Sequence, residues 1–398
     1  MFIDIDKNQP SAKWIEHLRQ RYPTEHEIDR VLTRRLHRRA GPGYSPLPLE
    51  KLVEGVRALI RARHGEHFEI LQPRWLSGGA SKLQMAFVLD WHRPGVGHEQ
   101  TRMVLRMEPA ESIVETSRLR EFQLILAVQN TVPVPPVFWC DDQGEFLPYP
   151  ALIYGFAEGV TKPSSAAGNV SGLGTRLPEE LRTQLAPQFI EHLARVHSFD
   201  YTKADLSAFD VPKPGTQAAE WMVNWWERVW EEDCEEDAPM MRLAAAWLRR
   251  KMPTLDKPCI VHADYRVGNF LFTEDDSRIS AWLDWELGRI GDPHQDIAWT
   301  TSPAFGSYDE RGRFLVCGLI PEAEFNEAYE RASGRRIDPH AVHWYKVMNA
   351  YSMVALTLGT GYRIARNGKT HQDVLVTWLM GISYMLMDDL RDLIEKGA

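Results

Sequence analysis

The sequence predicts an α+β fold of two lobes, an antiparallel sheet followed by a mainly helical region. Three observations carry this. The chain has 398 residues, which is long for one core and suits two. Residues 47–157 read as strand-rich. Beyond 157 the pattern is mainly helical, with one hairpin of short apolar runs inserted. The divisions expected are a helical N-terminal extension over 1–46, a sheet lobe over 47–157 and a helical lobe over 158–398.

The elements follow in order. The extension is polar and helix-prone. Thr24 and Glu27 have capping-box spacing before a basic run at 34–39. That run reads as a solvated helix face, with an anion or partner contact as the alternative. Gly41-Pro42-Gly43 ends the helix and marks a linker. Strands are expected at 68–76, 83–91 and 101–107, a helix at 111–129, then strands at 137–140 and 151–156. Residues 162–175 are rich in Gly, Ser and Ala and read as a mobile loop. Trp221, Trp225, Trp226 and Trp230 fall at helical spacing before the acidic run 231–237. They read as a helix packed through its Trp stripe with a solvated acidic end, or as a cation-binding wall. Two C-terminal helices, about 341–366 and 372–394, are mostly core.

Composition excludes several classes. Net charge is −9, so a nucleic-acid partner is not favoured. The cysteines Cys140, Cys234, Cys259 and Cys317 lack C-x-x-C spacing, which argues against a zinc site or disulfide framework and fits a reducing cytoplasm. The N-terminus has no basic and apolar leader pattern, and no apolar run reaches the ~18 residues needed to span a bilayer. A cytoplasmic protein without a membrane partner is expected.

The chemistry is concentrated after Cys259-Ile260-Val261. The segment His262-Ala263-Asp264-Tyr265-Arg266-Val267-Gly268-Asn269 leads into Phe270-Leu271-Phe272, and Leu283-Asp284-Trp285-Glu286 follows. His262, Asp264 and Asn269 stand at the offsets of the kinase catalytic loop H-R-D-x-x-x-x-N, and Asp284 stands where a second metal-binding Asp belongs. Phosphoryl transfer needs a base for the attacking hydroxyl and divalent metal for the phosphate oxygens. Asp264 can accept the hydroxyl proton. Asn269 and Asp284 are hard oxygen ligands suited to Mg2+.

The runs HADYRVGN and LDWELGRIGDPHQDIAW resemble the aminoglycoside phosphotransferase and choline kinase-like superfamily. Within it they look most like the kinase-like domains found beside, or fused to, acyl-CoA dehydrogenases. Leu76-Ser77-Gly78-Gly79-Ala80-Ser81, Val104-Leu105-Arg106, Arg120-Glu121-Phe122, residues 192–197 and residues 328–334 extend the likeness over about residues 50–395. The resemblance implies a protein-kinase-like fold and a phosphotransferase. It implies that His262 orients the loop and that Asp292 and Asp296 brace it. An N-cap by Asp292 with Pro293 at N1 is compatible with that.

On the nucleotide side, Ser77, Gly78, Gly79 and Ser81 sit between two strands. Glycine there lets backbone N–H groups approach phosphates, although a hairpin turn needs the same residues. The Walker spacing is absent. Arg106 occupies the place of the third-strand kinase Lys, with Glu121 as its helix partner. Arg keeps charge and adds a planar fork. Tyr154-Gly155-Phe156 reads as the hinge. Backbone groups would meet the base there, so GTP is as compatible as ATP, and Tyr154 and Phe156 read equally as core aromatics.

Only a short segment separates Asp284 from Asp292, too little for a peptide-docking activation segment. The acceptor is therefore expected to be a small molecule with a hydroxyl. A hydroxyacyl-CoA-like metabolite comes first, by the branch resembled. An aminoglycoside or macrolide comes second. A nucleotide-binding regulatory protein without turnover is the reading from another class, supported by Arg106 and the basic extension.

Overall fold

Three helices precede the sheet in the computed structural model of the chain: α1 (Ala12–Arg21), α2 (His26–Arg38) and α3 (Leu49–His64). The structure describes residues 6–76, 82–164 and 176–397. Helix α3 lies inside the stretch expected to be strand-rich. Its residues Leu52, Val56, Leu59 and Ile60 recur at helical spacing and are buried, so one apolar stripe faces a partner.

That partner is a five-stranded antiparallel sheet. Its strands are β1 (Phe68–Trp75), β2 (Leu83–Arg93), β3 (Gly97–Met107), β4 (Val137–Asp141) and β5 (Ala151–Gly155), in the order β1-β2-β3-β5-β4. Met85, Phe87, Leu105 and Ile153 pack with α3 in one cluster. Side chains alternate along a strand, so Gln84, Arg106 and Tyr154 point to the opposite face. Register brings Arg106 opposite both Gln84 and Leu152.

Between β3 and β4 lies α4 (Arg118–Val128). It starts later than the expected 111–129. Ser117 ends the preceding bends by accepting the Arg120 N–H at 3.3 Å, which satisfies a first-turn donor.

The second lobe contains α5 (Glu179–Ser198), α6 (Gln217–Asp233) and α7 (Pro239–Arg250). Four short strands follow: β6 (Cys259–Val261), β7 (Phe270–Phe272), β8 (Ile279–Trp282) and β9 (Arg289–Gly291). Next come α8 (His294–Thr300), α9 (Glu322–Ser333), α10 (Pro339–Val354), α11 (Tyr362–Arg366), α12 (Asp373–Gly381) and α13 (Ser383–Lys396). A π-helical segment, Ala355–Gly361, joins α10 to α11. Of the loop expected at 162–175, residues 165–175 lie outside the described residues. Among the described residues, no helix is long and apolar enough to cross a membrane.

Three local expectations are corrected. Thr24 and Glu27 form no capping box. Glu25 is at the N-cap, where its side chain makes no capping bond, Thr24 Oγ1 donates to the Trp221 carbonyl at 3.4 Å, and Glu27 holds Arg30. The basic run is only partly a solvated face: His37 and Arg38 are exposed, but Arg35 and Arg39 are buried. Nor is the acidic run wholly solvated: Glu232 and Asp233 are buried and receive those same guanidinium groups. Two like-charged runs that would repel water-free neighbours singly neutralise each other across about two hundred residues of chain. The Trp stripe is core, as the plainer reading had it, with Trp225 and Trp226 buried.

Candidate active site

The loop 262–269 runs from β6 to β7, and residue 284 follows β8. β6 pairs with β9, and β7 pairs with β8. This sets Asp264, Asn269 and Asp284 on adjoining turns. Aromatic packing beneath fixes the loop. Tyr265 stacks on Trp282 at 3.9 Å and its hydroxyl donates to the Phe189 carbonyl at 2.6 Å.

Asp296, from α8, braces the same loop from behind. Its carboxylate accepts the N–H of His262 at 2.8 Å and of Ala263 at 2.7 Å. Ala263 has φ of 68° and Asp284 has φ of 63°. Left-handed backbone at side-chain-bearing residues persists only where surroundings hold it. Asp292 has a different contact: its carboxylate accepts from the His294 N–H at 2.9 Å, at the first turn of α8, where Pro293 rather than Asp292 is the N-cap.

His262 is fully buried. Its Nδ1 accepts the Asp264 N–H at 3.2 Å, and its Nε2 donates to the Leu283 carbonyl at 3.0 Å. One ring thus ties the Asp264 turn to the Asp284 turn; burial lowers its pKa, which keeps it neutral, and the two hydrogen bonds set the tautomer.

Asp264 is held at both oxygens. Oδ1 accepts from Arg266 Nε at 2.8 Å and Trp299 Nε1 at 2.6 Å. Oδ2 accepts from Asn269 Nδ2 at 2.5 Å. Burial raises its pKa, Arg266 opposes the rise and the Asp284 charge adds to it. A fixed carboxylate with a raised pKa is suited to taking a proton.

Opposite lies the cleft face of the sheet. A cavity of about 130 Å³ is lined by Gln84, Arg106, Glu121, Tyr154, Asn269 and Asp284, among others. Arg106 Nε stands 3.6 Å from Glu121 Oε1, so the expected third-strand pairing forms. The same guanidinium also pairs with Asp284, and with Glu286 at 3.0 Å. Burial pushes the Tyr154 hydroxyl up to about 12. Phe156 sits apart from the cavity: its ring lies 4.0 Å from the Arg102 guanidinium, and its N–H donates to the Arg102 carbonyl. Ser77, Gly78, Gly79 and Ser81 lie outside the described residues.

Sequence reasoning gave no role to Arg266, Trp299, Lys82, Arg118 or Glu286. Lys82 is buried and contacts Glu108 at 2.9 Å and Glu286 at 3.1 Å. Arg118 contacts Glu108 and Glu286, each at 2.9 Å, and Glu121. Arg266 and Trp299 lay inside the quoted motifs, so their spacing was the available signal. Lys82 and Arg118 carried none.

The donor set can be tested against magnesium. Asn269 and Asp284 both face the cleft with hard oxygens. Asn269 commits its amide nitrogen to Asp264, leaving the amide oxygen. Among the described residues no group of three or more His, Cys, Asp or Glu could hold a metal. Magnesium takes one or two protein ligands and completes its shell from phosphate and water, so these residues fit it.

The sequence model of the family described as "Phosphotransferase enzyme family" matches residues 76–345. Human acyl-CoA dehydrogenase family member 11 is 26% identical over 311 residues, which is 74% of this chain and 36% of that protein. The chicken protein of the same name is 34% identical over 179 residues, 43% of this chain and 23% of that one. The chain therefore spans about a third or less of these relatives' length. A candidate aminoglycoside phosphotransferase of Ralstonia eutropha JMP134 superposes with a TM-score of 0.63 at 20% identity, covering 86% of this chain and 98% of that one. Macrolide 2'-phosphotransferase type I gives 0.52 at 20% identity, over 82% and 98%. At such identities the structural likeness establishes the fold, which is that of a two-lobed kinase.

Proposed function

The chain belongs to the phosphotransferase enzyme family, and we propose that it moves the γ-phosphate of ATP, or of GTP, onto a hydroxyl of a small molecule. One observation carries this reading. Asp264, fixed at both oxygens, is bonded to Asn269, which lines the cleft together with Asp284.

The acceptor hydroxyl gives its proton to Asp264 while its oxygen bonds to the γ-phosphorus. The bond to the bridging oxygen breaks, and the nucleoside diphosphate leaves. Arg106, steadied by Glu121, offers charge to the phosphates. His262 and Asp296 keep the two turns at a constant separation. Magnesium, held by Asn269 and Asp284, would neutralise charge on the phosphate oxygens. Residues 1–46 are an extension in this reading, 47–157 the nucleotide lobe and 158–398 the catalytic and acceptor lobe.

A small acceptor is favoured because β9 folds back on β6 directly after Asp284, and α8 begins at His294. No extended segment intervenes to dock a peptide. The relatives' names direct the first tests to hydroxyacyl thioesters, and the macrolide enzyme's name directs the second to antibiotics. The regulatory reading loses one support, since Arg35 and Arg39 are engaged in internal ion pairs. A nucleotide-consumption screen over hydroxyacyl-CoAs, aminoglycosides and macrolides tests the proposal. Consumption unchanged by every hydroxyl compound would count against it.

Metal removal separates the ligands. Asp284→Ala should abolish the gain in ATP affinity on adding magnesium, and Asn269→Ala should only reduce it, because a carboxylate is the stronger hard ligand. Calorimetry with and without the metal reads this directly. Equal magnesium dependence in the wild type and Asp284→Ala would exclude Asp284 as a ligand. Without metal, the Asp284→Ala titration shows how far the released Arg106 binds phosphate by itself.

The pH profile follows from Asp264. Its folded pKa is raised by burial, and the base must be ionised, so turnover falls as pH drops through that raised value. The acid limb should lie above the ~3.9 of an ordinary Asp. Arg266→Met should move it higher still, because Arg266 lowers the Asp264 pKa. A limb unmoved by that substitution would remove Asp264 from the titration.

A further inference from the structure

We propose that Glu25 and Glu27, at the head of α2, are positioning residues that clamp α4 and through it set Glu121 against Arg106. The proposal rests on the kinase reading above and goes beyond it by giving the N-terminal helices a part in the nucleotide site.

Two contacts join α2 to α4. Glu25 accepts from Arg120 Nη1, and both are nearly inaccessible, at 3% and 2% exposure. Glu27 accepts from the Ser117 hydroxyl, the residue that caps α4. The first turn of α4 is therefore gripped at its cap and at its third residue. Arg120 is held on its other sides as well. Nη2 donates to the Gly288 carbonyl at 3.3 Å, and the guanidinium lies 4.3 Å from the Phe209 ring. Gly288 is close enough that a Cβ there would run into Leu124 of α4, which is why that approach needs glycine.

Consecutive helical residues point about 100° apart. Fixing Arg120 toward α2 therefore fixes Glu121 toward the cleft, where it stands 3.6 Å from Arg106 Nε. The charge on Glu25 has a second duty. Arg289 is buried nearby, burial pushes it to about 10, and Glu25 is the foremost group opposing that fall. Removing the Glu25 charge leaves the buried guanidinium groups of Arg120 and Arg289 without the carboxylate that offsets their repulsion.

A clamp also needs an anchored far end. Helix α2 is tied to the catalytic lobe by Arg35 to Asp233 at 2.8 Å, Arg39 to Asp233 at 2.6 Å and Asp29 to Arg228 at 2.6 Å. The Asn224 amide donates to the Pro23 carbonyl at 2.7 Å just before α2. Thus α2 bridges a fixed point on α6 and the movable-type element α4, whose counterpart in kinases must be in place for the Lys–Glu pair to form.

The test uses the purified full chain, titrated by calorimetry with whichever of MgATP or MgGTP the wild type binds, beside thermal melting. Glu25→Gln should weaken nucleotide binding about 3- to 30-fold, and Glu25→Asp should restore most of it. Glu121→Ala should weaken it comparably, and adding Glu25→Gln to that variant should cost little more, because both act on one unit. Glu27→Gln leaves the Glu25–Arg120 pair in place, loosens the Ser117 cap and the Glu27–Arg30 pair, and serves if Glu25→Gln does not fold; a smaller loss of the same kind is expected. A purely structural role lowers the melting temperature and leaves the affinity of the folded protein alone. That outcome overturns the proposal, as does full additivity with Glu121→Ala. A wild type that binds neither nucleotide overturns the kinase reading itself and the clamp with it.

Discussion

Asp264→Asn should lower turnover by ~10²–10⁴-fold, the range a positioned base contributes. The substitution keeps shape and removes only the proton-accepting charge. Arg266 and Trp299 donate to one oxygen and can still meet the amide oxygen. Asn269 donates to the other and would meet an amide N–H₂ instead. Turning its own amide over would regain that bond at the cost of the one from Nδ2 to the Asp264 backbone carbonyl at 2.9 Å, and would present nitrogen to the cleft where oxygen had been. Magnesium affinity should therefore weaken modestly in this variant, and far less than turnover. Measuring kcat and magnesium-dependent nucleotide affinity on the same preparation separates the two effects. A folded variant with near wild-type kcat would remove Asp264 from the chemistry.

Asp233→Asn should cost about 3–5 kcal/mol of stability, the usual result of removing one partner from a buried ion network. Asp233 is 1% exposed. It receives Arg35 at 2.8 Å, Arg39 at 2.6 Å, Arg363 at 3.0 Å and the Thr360 hydroxyl. Burial works against its charge, but these three guanidinium groups overcome it and hold the carboxyl well below the usual range. The sign is that of a depressed acid: the contribution is present above the unfolded pKa and is lost as pH falls toward the folded one. Neutralising Asp233 leaves Arg39 with Glu232 at 3.9 Å as its remaining carboxylate. Denaturant unfolding at neutral pH measures the loss. A change within ~0.5 kcal/mol, as at ordinary surface positions, would show that the network is not what holds α2 to α6.

The candidate catalytic segment was legible because its geometry is local. His262, Asp264 and Asn269 occupy one turn between two short strands, so offsets along the chain translate into positions in space. The strands of the sheet were legible by their residue types and turns. Helix α3 was missed although its signal was present: Leu52, Val56, Leu59 and Ile60 already have a helical period. The grip on Asp264 was half legible, since Arg266 is two residues away and Trp299 thirty-five.

By itself the sequence determined the family and the offsets that bring His262, Asp264 and Asn269 into one turn, since short spacings and chemical type suffice for both. Tertiary structure alone decided what each charge meets. The runs at 34–39 and 231–237 have the composition of solvated surfaces, yet their inner members are buried against one another. Lys82, Arg118 and Glu286 come from three separate stretches and meet only in the folded chain, beside Arg106. Burial makes such charges depend on a partner at a few ångströms. Which partner stands there is a property of the packed chain, not of any window along it.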